Sequence, residues 1–128
     1  MNSVRDLMST DVVAVAPSAT VMQAAALMFG AKVGSVLVVD DGVLVGIFTE
    51  RDIVRALSGV SADAGRASPV RVLMTPDPTT IDPDASVGRA LDVMLAGGFR
   101  HLVVMQGPDL LGVVSMRDLA GAIGSTGR

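Results

Sequence analysis

The sequence contains no cysteine, tryptophan or tyrosine, and a single histidine in 128 residues. Without cysteine there is no disulfide, no thiolate metal site and no cysteine nucleophile, which also fits a reducing compartment. Three phenylalanines are the only aromatic residues, too few for the base-stacking platform of a nucleic-acid binder. Net charge is −3, with both signs scattered and no basic block. A nucleic-acid groove is therefore not expected, although a small anionic ligand needs only local positive groups. The longest uncharged apolar runs, residues 24–31 and 33–39, fall far short of the ~20 residues that span a bilayer. The opening Met1-Asn2-Ser3-Val4-Arg5-Asp6 has no basic stretch followed by an apolar one, unlike a signal peptide. These absences predict a cytoplasmic protein without membrane or nucleic-acid partners.

Catalytic frames are missing too. A nucleophile–histidine–acid set would have to rest on His101, and no G-x-S-x-G frame surrounds a serine. Zinc would lack ligands. Asp40-Asp41 and Asp82-x-Asp84 read as turn chemistry rather than a calcium loop, and no Walker-type loop occurs. The expectation is no enzyme activity, no metal and no cofactor.

What the chain does have is itself, twice. Half its residues are hydrophobic, and its length suits one compact protein that buries roughly two-thirds of its unfolded surface. Displaced by 66 positions, the sequence matches itself without a gap. Val4-Arg5-Asp6-Leu7-Met8 falls on Val70-Arg71-Val72-Leu73-Met74, Pro17 on Pro83, Ala24 on Ala90, Met28 on Met94 and Val38 on Val104. The densest match sets Gly46-Ile47-Phe48-Thr49-Glu50-Arg51-Asp52 on Gly112-Val113-Val114-Ser115-Met116-Arg117-Asp118.

Each copy reads alike. Residues 12–15 and 79–81 are short extended stretches closed by Pro17 and Pro83. Thr20 and Ser86 are N-caps for helices whose apolar faces are Val21, Ala24, Ala25, Met28 and Val87, Ala90, Leu91, Met94. Gly30 and Gly97-Gly98 read as the stops. The apolar runs 36–39 and 102–105 are buried strands. Asp41-Gly42 is a tight hairpin signal and Gln106-Gly107-Pro108-Asp109 a longer turn. Strands 43–48 and 110–114 return, and helices from about 50 to 57 and 116 to 123 complete the copies. The expected boundaries are a first repeat 1–58, a linker 59–69, a second repeat 70–124 and a tail 125–128. The expected fold is α/β (α+β), two β-α-β-β-α units packed sheet to sheet with pseudo-twofold symmetry.

The hydroxyl-x-x-aspartate of each heptapeptide admits two readings. Thr49 with Asp52, and Ser115 with Asp118, fit capping boxes in which hydroxyl and carboxylate satisfy backbone amides at a helix start. The same geometry fits a ligand site, because a helix N-terminus suits a phosphate and a carboxylate in the first turn can accept from ribose hydroxyls. Arg51 and Arg117 could face a phosphate or pair with acids on an exposed helix face, and the surface reading is preferred.

In these heptapeptides, in the openings 4–8 and 70–74 and in the Pro-x-Ala-[ST]-Val segments 17–21 and 83–87, the chain resembles a tandem pair of CBS domains, the modules first named for cystathionine β-synthase. The resemblance covers about residues 4–123. It implies a regulatory sensor that binds AMP, ADP, ATP or a related adenosyl compound between the repeats and signals to an unknown regulated protein by conformational change. It further implies two mixed sites. One would combine Ser115 and Asp118 with the edges at Val12, Val13, Gly34 and Ser35. The other would combine Thr49 and Asp52 with Thr79, Thr80, Arg100 and His101. Arg100 and His101 stand where family members often carry a phosphate-binding arginine or histidine, whereas the first repeat has Gly34 and Ser35 there, with Lys32 nearby. Family pairs commonly form disc-like homodimers, so a homodimer is expected. The alternative is a ligand-free scaffold or oligomerisation module in which both boxes are only caps.

Overall fold

The computed structural model describes residues 2–58 and 62–126. It is mixed α/β, with seven helices and two sheets among the described residues. Residues 59–61 of the expected linker and 127–128 of the expected tail lie outside the described residues.

The first unit to consider is residues 13–78. Strand β1 (Ala14–Val15) leads to helix α2 (Val21–Ala31), the helix α1 (Val4–Leu7) having preceded it in the chain. Strands β2 (Ser35–Asp40) and β3 (Val43–Thr49) form a hairpin, followed by α3 (Glu50–Leu57), α4 (Ala62–Ala67), α5 (Val70–Leu73) and β4 (Thr75–Pro76). The sheet order is β1-β2-β3-β4, with β1 parallel to β2 and the other pairs antiparallel. Thr20 caps α2 as its spacing predicts, accepting from the Gln23 amide at 3.1 Å while the Gln23 side chain accepts from the Thr20 amide at 2.9 Å. Val21, Ala24 and Met28 of α2 pack with Val36, Val38, Phe48, Ala56 and Val70 into one core.

The second unit joins residues up to Val12 with those from Thr79 onward. Strand β5 (Thr80–Ile81), helix α6 (Val87–Gly97), the hairpin β6 (His101–Gln106) and β7 (Asp109–Ser115), and helix α7 (Met116–Thr126) repeat the plan. Its sheet is β5-β6-β7, and its core gathers Val4, Ile81, Ala90, Met94, Leu102, Val104, Val114 and Leu119. A β-bulge interrupts both hairpins at the same place, between Val38 and Val39 and between Val104 and Met105.

The compact units cut across the repeats because each repeat's opening docks on the other repeat's elements. In the first unit Val70 donates to the Ala19 carbonyl at 2.8 Å, and β4 pairs Thr75 with Ile47 and Pro76 with Gly46. In the second, Val4 donates to the Ala85 carbonyl at 2.9 Å and Ser9 bridges Val113. Val4 and Val70 have no solvent exposure, so these one-turn helices are held by burial and by borrowed carbonyls rather than by their own length.

Three local expectations change. Gly30 does not stop α2; it remains helical, and the left-handed position falls on Lys32 at φ +58°. Gly98 holds the matching position at φ +71° after α6. In both helices the residue after it closes the end, Val33 on the Met28 carbonyl and Phe99 on that of Met94, each at 3.0 Å. This closure geometry fixes where the left-handed residue sits, and a lysine there bears the steric cost that glycine avoids. The turn after β6 is not longer than its counterpart: Gln106 pairs directly with Asp109, leaving Gly107-Pro108 as a two-residue loop. Gly107 at φ +59° before a proline suits a type II′ hairpin, whose hand matches strand twist. Lastly, the stretch read as linker contains α4, whose Gly65 lies directly against the Ala56 backbone.

Candidate functional site

Both hydroxyl–aspartate boxes sit where a strand runs straight into a helix, β3 into α3 and β7 into α7. The strand places the hydroxyl residue in extended backbone, and the helix turns the aspartate back over it. The glycine that opens each heptapeptide is explained by what crosses it. A β-carbon at Gly112 would collide with the Ser9 carbonyl, and one at Gly46 with the Met74 side chain and the Thr75 carbonyl. The heptapeptide glycine therefore admits the opening segment that completes each unit.

In the second unit the box closes both ways. The Asp118 Oδ2 accepts from the Ser115 amide at 2.9 Å, and the Ser115 hydroxyl accepts from the Asp118 amide at 3.1 Å. His101 pairs in register with Ser115, and Met116 donates to the Arg100 carbonyl at 2.8 Å. Within this unit Arg100 and His101 are thus brought to the same strand–helix corner as Ser115 and Asp118, rather than to Thr49 and Asp52, with which the resemblance groups them. Thr80 pairs with Val103 two residues along β6, and Val103 donates to the Thr79 carbonyl at 3.2 Å. Val12 follows Ser9 along the segment that bridges β7.

The first unit builds the matching corner from Thr49, Asp52, Gly34 and Ser35. Ser35 pairs with Thr49, and Glu50 donates to the Gly34 carbonyl at 3.2 Å. The Val13 carbonyl accepts from Leu37 at 2.9 Å. Asp52 Oδ2 accepts from the Thr49 amide at 2.9 Å and from its hydroxyl at 3.4 Å. One partner went unread in the sequence: Arg55 donates to Asp52 Oδ1 at 3.2 Å. The signal was available as an acid and a base three apart on a helix, with Gly121 at the repeat-equivalent position. Arg51 and Arg117 are exposed, as read.

Box geometry alone is not specific. Ser3 with Asp6, and Thr20 with Gln23, make the same motif elsewhere in the chain. A groove in the first unit is lined by Ala14, Val15, Ala16, Ala19, Gln23, Ala26 and Leu27. It contains none of the candidate residues, and its one polar side chain is committed to the α2 cap. No described helix is long and apolar enough to cross a membrane.

Two copies of one strand–helix module, each with a hydroxyl–aspartate corner and each completed by the other's opening, define a tandem α/β repeat protein. The chain belongs to the CBS domain family, whose model matches residues 4–59 and 70–125. It is similar to an uncharacterized 17.7 kDa protein of Acidianus ambivalens, 43% identical over 122 residues that span 94% of this chain and 72% of that protein. Its fold matches the crystal structure of a CBS-domain containing protein from Agrobacterium tumefaciens with a TM-score of 0.87, at 35% identity over 94% of this chain and 98% of that one. It also matches CBSX2, crystallised in complex with AMP, with a TM-score of 0.79 at 25% identity over 100% of both chains.

Proposed function

We propose that the protein is a non-catalytic regulatory module that binds an adenosine-containing ligand, of which AMP, ADP, ATP and adenosyl compounds are the candidates. The observation that carries this reading is the Ser115–Asp118 corner. One carboxylate oxygen holds the helix cap, and the other has no partner among the described residues, with Arg100 and His101 at the same strand edge. A carboxylate there accepts from ribose hydroxyls, and the α7 N-terminus with Arg100 favours a phosphate. The full-length likeness to a protein crystallised with AMP supports the ligand class. Ligand binding then shifts the population of conformers that a regulated partner meets.

Thermal unfolding with AMP, ADP, ATP and S-adenosylmethionine tests the proposal. A ligand at ~100 times its Kd adds about 2.7 kcal/mol, a rise of several degrees for a domain of this size. Asp118→Asn should remove that rise while leaving the unliganded Tm nearly unchanged. The asparagine oxygen can still accept from the Ser115 amide, but its other atom is then a donor and no longer accepts from ribose hydroxyls. An absent shift with every compound favours the scaffold reading, for which the two further capping boxes in the chain already speak.

A homodimer belongs to the same proposal. Phe29 is 87% exposed and its repeat-equivalent Leu95 65%, so each unit presents an apolar residue near the end of its long helix. Light scattering is expected to return twice the 13.1 kDa chain mass, and Phe29→Glu to lower it towards the monomer.

A further inference from the structure

We infer that the two aspartate corners are inequivalent, and that Arg55 holds the Asp52 corner shut so that the chain takes a single nucleotide, at Asp118. The inference rests on the function proposed above and specifies its stoichiometry and the residue that sets it.

At Asp52 both carboxylate oxygens already have partners. Oδ2 carries the Thr49 amide and hydroxyl, and Oδ1 carries the Arg55 guanidinium at 3.2 Å. The Asp52 side chain is only 6% exposed, while its partner Arg55 is 59% exposed. A ribose approaching Asp52 would have to displace a charge-assisted bond to a buried carboxylate, which desolvation makes costly to leave unpaired.

The Asp118 corner lacks this cover. Gly121 stands three residues on, where the first unit has Arg55. Asp118 Oδ1 has no partner among the described residues, yet no buried side-chain oxygen or nitrogen among them is unsatisfied. Oδ1 therefore reaches solvent and is open to a ligand. Gly121 is exposed, and a β-carbon built there meets nothing within 4 Å, so a side chain can leave the helix at this position.

Isothermal titration of the full chain with AMP, ADP and ATP in turn reads the stoichiometry. The wild type should take about one nucleotide per chain and Arg55→Ala about two, while Arg55→Lys keeps the cation and stays near one. Gly121→Arg transplants the cover and should weaken the remaining site at least tenfold without lowering the unliganded Tm. Two nucleotides per wild-type chain, one per Arg55→Ala chain, or wild-type affinity in Gly121→Arg would each overturn the inference while leaving the proposed function standing. No heat with any nucleotide in any of these proteins overturns the inference, whereas the proposed function falls only if the thermal screen that includes S-adenosylmethionine also shows no shift.

Discussion

Gly112→Ala is expected to destabilise the protein by about 1–3 kcal/mol, the usual cost of forcing a carbon into a filled site. The obstacle is main chain. The added carbon would strike the Ser9 carbonyl, and Ser9 is pinned there by a 2.8 Å bond to the Val113 carbonyl and a 3.0 Å bond from the Val113 amide. Either the methyl displaces Ser9 and both bonds are lost, or β7 bends away from its partner. Gly46→Ala meets chiefly the Met74 side chain, which can swing aside, with the Thr75 carbonyl 3.0 Å away. It should cost less. Urea unfolding of the two variants checks the order: a lower midpoint at unchanged m-value for Gly112→Ala, and a smaller drop for Gly46→Ala. The reverse order would contradict the crossing described at Ser9.

Phe48→Ala is expected to be the most damaging core substitution, at about 3–5 kcal/mol. Phe48 has no solvent exposure and is the largest fully buried side chain. It packs in the core that also contains Met28, Val36, Val38, Ala56 and Val70. Several of these neighbours are short or β-branched, with few alternative rotamers to fill the vacated space. The repeat-equivalent Val114 is equally buried but smaller, so Val114→Ala removes less and should cost less. Equal losses in thermal melts of the two variants would mean that the first core collapses around the gap.

The repeat made much of this legible from sequence alone. A gapless displacement carries each assignment from one copy to the other, so Thr20 supports Ser86 and the run 36–39 supports 102–105. The failures have physical causes. Glycine frequency drew the α2 stop to Gly30, whereas the hydrogen-bond closure placed it at Lys32, a residue that composition never suggests for a left-handed turn. The docking of residues 4–9 and 70–76 on the other repeat was not legible, because a linear displacement is the same whether a segment completes its own sheet or its twin's. The box residues could be named, and Arg100-His101 against Gly34-Ser35 already set the two corners apart, but the contact to Asp52 went unread. That lies in one position, Arg55 against Gly121, outside the heptapeptides that drew attention.

The borrowed openings also order events during synthesis. Val4 is bonded to Ala85, and Ser9 to Val113, so residues 4–9 have no docking place until residue 113 has been made. The unit of residues 13–78 meets no such delay, since its partners for Val70 and Thr75 have already been made. Contacts so distant in sequence form slowly, and until they do, Gly112 and Val113 present an unpaired strand edge, the kind of template on which chains join one another. The protein should be most prone to aggregate while residues 4–9 wait for β7.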